Sequence, residues 1–158
     1  VRAAVCADTH GDIAGLLAVL RCQRVEEVWH AGDFLRDGEA LAAALGLPLR
    51  GVVGNCDRDQ PGPEELVFAV HGRRVLLTHG HRQRVKSHLL ALMMRAREVG
   101  ADIVVFGHTH LPLVEEERGI LFINPGSAGL PRAGAAPTWA LLEIEGAKAH
   151  AAIMPLAP

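Results

Sequence analysis

The stretch Arg2-Ala3-Ala4-Val5-Cys6-Ala7-Asp8-Thr9-His10-Gly11 decides the fold: a short apolar run delivers an acid and a histidine straight into a turn. Arg2 to Ala7 reads as a buried strand. Asp12 can cap a helix from Ile13 to about Arg24, with Leu16, Leu17 and Leu20 on its apolar face. The alternation continues downstream. Val25 to Ala31 is a second strand ending at Gly32-Asp33, and Gly38 to Leu45 is a short Ala-rich helix. Leu49 to Val53 is a third strand, ending at Gly54-Asn55-Cys56-Asp57. A βαβαβ opening of this kind predicts a parallel sheet.

The pattern then changes. Leu66 to Val70 and Arg74 to Thr78 flank His71-Gly72-Arg73 as a β-hairpin, and its second strand runs into Thr78-His79-Gly80-His81. Arg84 to Val99 is a helix ended by Gly100. Ile103 to Phe106 is a strand leading to Gly107-His108-Thr109-His110. Val114 to Glu117 pairs with Ile120 to Ile123, and Thr138 to Ile144 with Ala147 to Met154, as two further hairpins. Pro61-Gly62-Pro63 and Gly126 to Pro137 are loops. Neither is a domain linker, because strands on both sides contribute to one site, so residues 1–158 are expected to form a single domain. The expected α/β architecture is two β-sheets face to face, helices outside, and a site on the loop rim at one end.

Composition bounds the function. A chain of 158 residues suits roughly one domain. Hydrophobic content of 49% supports a sizeable core. Aromatic content of 4%, with no Tyr, makes that core mostly Leu, Val, Ile and Ala. A net charge of −2 with scattered Lys and Arg excludes the field needed for tight nucleic-acid binding. No stable nucleic-acid complex is expected, although a small oligonucleotide could be a substrate. Cys6, Cys22 and Cys56 show no CxxC spacing and read as reduced thiols of a cytoplasmic protein. No targeting segment and no apolar run near ~18 residues stands out, so no membrane association is expected. The apolar loop Ala128 to Pro137 is either a site rim or an interface of a homo-oligomer.

Five blocks, each after an apolar run, carry seven metal-type side chains: Asp8, His10, Asp33, Asn55, His79, His108 and His110. Mixed oxygen and nitrogen ligands suit Mn, Fe, Zn, Co or Ni rather than a closed sulfur site. The set is too large for one ion, so two are the economical reading, with Asp33, central in the order, a candidate bridge. Taken singly, Asp8, Asp33 and Asn55 would be turn or cap residues. Their ordered placement at strand exits is what points to one site. His30, His71, His88 and His150 are read as ordinary surface or core groups.

These blocks resemble those of the calcineurin-like metallophosphoesterase superfamily. They are most similar to its small prokaryotic phosphodiesterases, which share a fold with the small retromer subunit. The resemblance implies a four-layer αββα sandwich of two mixed sheets. It implies that Asp8, His10, Asp33 and His110 hold one divalent ion and that Asp33, Asn55, His79 and His108 hold the other. Manganese is the expected ion, with nickel, iron, cobalt or zinc as alternatives. The activity implied is hydrolysis of small phosphate esters, phosphodiesters foremost, by in-line attack of a hydroxide bridging two ions roughly 3.5–4 Å apart. Asp33, Asn55 and His81 are the expected catalytic residues, and Asn55, Arg82 and Arg132 the expected substrate contacts, since Arg forks onto phosphate oxygens.

One position departs from the superfamily pattern. Many members carry a His after the Asn of the third block, where it protonates the leaving group; here that position is Cys56. A space-filling thiol is expected there rather than an acid, and leaving groups of low pKa should be preferred. Thr9 and Thr109 should orient the ligand loops. Gly11, Gly32, Gly54, Gly80 and Gly107 should allow the turns that aim ligands inward. Asn124-Pro125-Gly126-Ser127 is either part of the site rim or an ordinary turn. The competing functions are a phosphomonoesterase acting on nucleotides or phosphoproteins, and a non-catalytic scaffold of the retromer-subunit type.

Overall fold

Along the first strand, β1 (Arg2–Cys6), Ala3 and Val5 point to one face and Ala4 and Cys6 to the other, and all four are buried. A strand apolar on both faces must be covered on both faces, and the computed structural model, which describes residues 1–132 and 134–156, shows how. The elements that follow are α1 (Ala14–Leu20), β2 (Glu27–His30), α2 (Leu35–Leu45), β3 (Leu49–Gly51), β4 (Glu65–Val70) and β5 (Arg73–Thr78). After them come α3 (Leu90–Glu98), β6 (Ile103–Val105), β7 (Pro112–Glu117), β8 (Ile120–Pro125), β9 (Thr138–Glu145) and β10 (Lys148–Pro155).

Two five-stranded mixed sheets result, ordered β10-β9-β1-β2-β3 and β4-β5-β6-β8-β7. In the first, β1, β2 and β3 run parallel and β9 lies antiparallel to β1. In the second, β5, β6 and β8 run parallel, with β4 and β7 antiparallel at the edges. Three apolar clusters glue four layers. Ala3, Val5 and Trp29 of one sheet meet Val75, Ile103 and Ile123 of the other in the middle. Leu16, Leu20 and Leu41 of α1 and α2 pack on Ala4, Cys6 and Val28. Leu92, Met93 and Ala96 of α3 pack on Leu76, Val104 and Phe122. Truncating such a buried Leu or Ile to Ala costs about 2–5 kcal/mol, so the layering is firmly specified.

The helices differ from expectation at their starts, and α1 ends at Leu20 rather than at about Arg24. Asp12 does not cap α1; its N–H closes a turn onto the Thr9 carbonyl, and Ile13 occupies the cap without a side-chain bond. Helix α2 begins earlier than Gly38, at Leu35, because the carboxylate of Asp57 accepts the Leu35 N–H at 2.9 Å. Helix α3 is shorter than Arg84 to Val99: Arg84 sits in the left-handed region at φ +55°, so the chain turns through Ser87 before helix begins. Among the described residues no helix is long and apolar enough to cross a membrane.

Candidate metal centre

The parallel strands of both sheets aim the same kind of loop at the same rim. The segments after β1, β2 and β3 carry Asp8-His10, Asp33 and Asn55, and those after β5 and β6 carry His79 and His108-His110. Asp8, His10, Asp33, His108 and His110 all adopt left-handed backbone, with φ between +48° and +68°. Asp and His tolerate this region better than most side chains, yet each such residue carries some strain. Five together in one rim mark a site held in place by its surroundings.

One donor atom from each of Asp8, His10, Asp33 and His110 lies within 4.8 Å of the others. Both carboxylates are buried, Asp8 completely. Nε2 of His10 is buried without a hydrogen-bond partner, 3.7 Å from Oδ2 of Asp33. Two buried carboxylates beside an unpartnered imidazole nitrogen fit a divalent cation, which would satisfy all three. His110 donates from Nδ1 to the Leu130 carbonyl at 2.5 Å, so that Nε2, 3.3 Å from Asp8, is the nitrogen that would be free for a metal once the ring is neutral. Such a carbonyl partner fixes the tautomer a metal ligand requires.

His79 is also close to both carboxylates. Its Nε2 is 3.1 Å from Oδ1 of Asp8 and 3.5 Å from Oδ2 of Asp33, and its Nδ1 is 3.0 Å from Nδ1 of His81. The His108 ring stands edge-on to His79, centroids 4.9 Å apart, and the His108 N–H donates to Oδ2 of Asp8. Asn55 is exposed at the rim, its amide 3.5 Å from the Cys56 sulfur.

The electrostatics are those of a site awaiting positive charge. Burial alone would raise the Asp8 carboxyl, but hydrogen bonds from His110 and His79 outweigh it and hold that group well below the usual carboxylate range. Burial, then the neighbouring His79, pulls His108 down to about 4, and the same two causes lower His81. The hydrogen bond to Asp8 raises His110. Burial and the Asp33 carboxylate push the Cys56 thiol up to about 11.

Other expected residues are placed less centrally. Arg82 is exposed and salt-bridged to Glu64 at 2.5 Å. Arg132 donates to the Thr109 carbonyl. The glycines divide into two kinds. Gly11, Gly32 and Gly80 take positive φ, as a turn requires. Gly54 and Gly107 are needed instead for close approach. A Cβ on Gly54 would lie 2.1 Å from Oδ1 of Asp33, and one on Gly107 would lie 2.9 Å from Oδ2 of Asp8.

Asn124-Pro125-Gly126-Ser127 belongs to the rim. Asn124 donates to the Gly107 carbonyl and the Thr109 hydroxyl, and Ser127 donates to the Asp8 carbonyl at 2.6 Å. Sequence reasoning missed three supports. Asp57 accepts Leu35 N–H and Gly54 N–H, joining the Asp33 and Asn55 loops. Asp37 accepts Gly11 N–H at 2.7 Å. The Leu130 carbonyl orients His110. An acid in the first turn of a helix looks like an ordinary dipole partner, and a backbone carbonyl carries no sequence signal at all.

Comparison with known proteins places the chain in a family. Residues 1–147 match the model of the calcineurin-like phosphoesterase superfamily domain. The chain is 37% identical over 143 residues to the probable metallophosphoesterase YsnB of Bacillus subtilis, covering 89% of this chain and 83% of that protein. It is 33% identical over 101 residues to the phosphodiesterase YfcE of Escherichia coli K12, covering 58% of this chain and 50% of that one. The crystal structure of Vps29 from Entamoeba histolytica, complexed with Zn²⁺, superposes with a TM-score of 0.80 at 23% identity, covering 99% of both chains. The chain belongs to the calcineurin-like phosphoesterase superfamily.

Proposed function

We propose that this protein is a two-metal phosphodiesterase acting on small phosphate diesters. The observation that carries the reading is the position of one oxygen. Oδ2 of Asp33 lies 3.7 Å from Nε2 of His10 and 3.5 Å from Nε2 of His79, so one carboxylate oxygen is near imidazoles of both expected ligand sets. A carboxylate so placed would suit sharing between two ions. Asp8, His10, Asp33 and His110 would hold the first ion, and Asp33, Asn55, His79 and His108 the second. Ions held there, manganese foremost, would supply Lewis acidity toward phosphoryl oxygens and activate a water at neutral pH.

The chain's own residues supply positioning. His81 accepts from or donates to Nδ1 of His79; with Nε2 of His79 reserved for metal, His79 is the donor and His81 turns its own Nε2–H outward, where a phosphoryl oxygen could accept it. Asn55, exposed on the rim, can reach both ion and substrate. Arg82 could meet a phosphate only by leaving Glu64, and such exposed pairs are worth about 0–1 kcal/mol, so the exchange is easily made. Arg132 stands beside His110 through Thr109. The diester preference is supported by the name of the relative YfcE and by the thiol of Cys56, a weak hydrogen-bond donor where an imidazole would be an efficient acid.

The test is turnover of bis(4-nitrophenyl) phosphate by metal-stripped protein before and after Mn²⁺, with Asp33→Asn as control. Activity that appears with metal and disappears in the variant is the expected result. Faster turnover of 4-nitrophenyl phosphate would favour a monoesterase. Silence across Mn²⁺, Ni²⁺, Co²⁺ and Zn²⁺, in folded protein that binds them, would favour a scaffold, a reading supported by the likeness to Vps29.

A further inference from the structure

His30 ends β2, three residues before Asp33, and is completely buried. Gly32 donates its N–H to Nδ1 of this ring at 3.3 Å. Nδ1 therefore accepts, and a neutral ring must carry its proton on Nε2. That nitrogen lies 3.1 Å from the Thr9 hydroxyl oxygen. With Thr9 Oγ1 accepting from the ring, its own hydrogen is free to point at the Asp33 carbonyl, 3.5 Å away. The bonds form one directed circuit: Gly32 N–H to His30, His30 to Thr9, Thr9 to Asp33.

We infer that His30 is a positioning residue that staples the Asp8–His10 loop to the Gly32–Asp33 loop and so sets the mutual placement of Asp8, His10 and Asp33. The inference rests on the reading above that these three hold a metal. Thr9 sits between Asp8 and His10, and Gly32 directly precedes Asp33. The ring thus grips both loops at the residue adjoining each ligand.

Its own freedom is removed from behind by α2. A Cβ on Gly38 would lie 2.8 Å from the His30 Cβ, so the helix backbone presses against the base of the ring. The nearest acid of that helix, Asp37, is engaged elsewhere, on the Gly11 N–H. An apolar side chain in place of His30 would fill the space but leave the Gly32 N–H and the Thr9 hydroxyl buried without their partner, which is costly. An imidazole is suited because it presents an acceptor and a donor on opposite sides of one rigid ring. His30 bonds the residues that adjoin the ligands rather than the ligands themselves; removing a ligand's own hydrogen-bond partner typically alters metal affinity by about 10–100-fold, which sets the scale of the effect.

Three variants and two readouts test the staple. Thr9→Val breaks the bond with almost no change in volume, Thr9→Ser keeps the hydroxyl, and His30→Gln removes the ring. Calorimetric Mn²⁺ titration of metal-stripped protein should show binding weakened at least about 10-fold in Thr9→Val and His30→Gln, with Thr9→Ser close to wild type. Nitrogen NMR of the metal-free wild type should show His30 protonated on Nε2. Wild-type Mn²⁺ affinity in folded Thr9→Val, or an Nδ1-protonated ring, would overturn the inference. If the wild type binds no Mn²⁺, the metal reading itself fails, while the tautomer still decides whether the staple exists.

Discussion

The backbone N–H of Cys56 donates to Oδ1 of Asp33 at 2.9 Å. This bond holds one oxygen of the carboxylate and leaves Oδ2 for His10 and His79. At Cys56 the main chain thus acts on the central carboxylate whatever side chain the position bears.

Replacing the Cys56 side chain should therefore matter little. Cys56→Ala and Cys56→Ser are expected to keep turnover of bis(4-nitrophenyl) phosphate within about threefold, since a backbone donor survives either change. A thiol acting as general acid would instead give a drop of about 10²-fold or more in Cys56→Ala. Steady-state kinetics separate the two.

With the weakly donating thiol of Cys56 at the rim in place of an imidazole, rate should track leaving-group pKa. Nitrophenyl diesters are expected to exceed simple alkyl diesters by at least about 10²-fold in kcat/KM, the range an absent proton donor commonly costs. Similar rates across such a series, with chemistry limiting, would mean that another group, His81 first, protonates the alcohol.

Gly54→Ala should damage the centre more than any change at Cys56. The new methyl would fall 2.1 Å from Oδ1 of Asp33 and 2.5 Å from its backbone nitrogen, so the loop carrying Asp33 must move. Mn²⁺ affinity is expected to fall at least about 10-fold, measured by calorimetry on protein shown to be folded.

Asp57→Ala should act on stability first. It strands the Leu35 and Gly54 N–H groups, each now bonded to the carboxylate. Charged acceptors of this kind are worth about 1.5–3 kcal/mol each, so a loss of about 3–6 kcal/mol in urea unfolding is expected. Asp57→Asn, which keeps one good acceptor, should lose roughly half as much.

Acid should weaken the metal-free fold through His30. Burial holds this ring near 4, against 6.5 for an ordinary histidine. The unfolded chain then binds the extra proton first, so the contribution is fully present above pH 6.5 and is lost as pH falls toward 4. The shift corresponds to about 3 kcal/mol between those limits. Urea unfolding across this window should show the loss in wild type and a flatter profile in His30→Gln. Parallel profiles would sink the assignment.

The sandwich, and the gathering of Asp8, His10, Asp33 and His110 at one rim, were legible in the chain because both depend on local patterns. Apolar runs of strand length, separated by turn residues and each ending in Asp or His, need no tertiary knowledge to recognise. The βαβαβ opening and all three hairpins appear where periodicity places them. Helix starts were less legible, since α2 takes its first N–H acceptor from Asp57, 22 residues downstream, and Arg84 turns left-handed inside an otherwise helical pattern.

By itself the sequence determined which atoms can bind metal and which strand ends carry them. Only the tertiary structure decided how those atoms stand. It set Oδ2 of Asp33 within 3.7 Å of His10 and 3.5 Å of His79, turned Nε2 of His110 toward Asp8 by a bond to the Leu130 carbonyl, and gave His30 a place behind two loops at once. The physical reason is that ligand type is a property of a side chain. Ligand placement depends on backbone amides, carbonyls and missing Cβ atoms brought together from residues up to about a hundred positions apart, as when the His108 N–H reaches Asp8 across 100 residues, and those groups are nearly identical at every position of a chain.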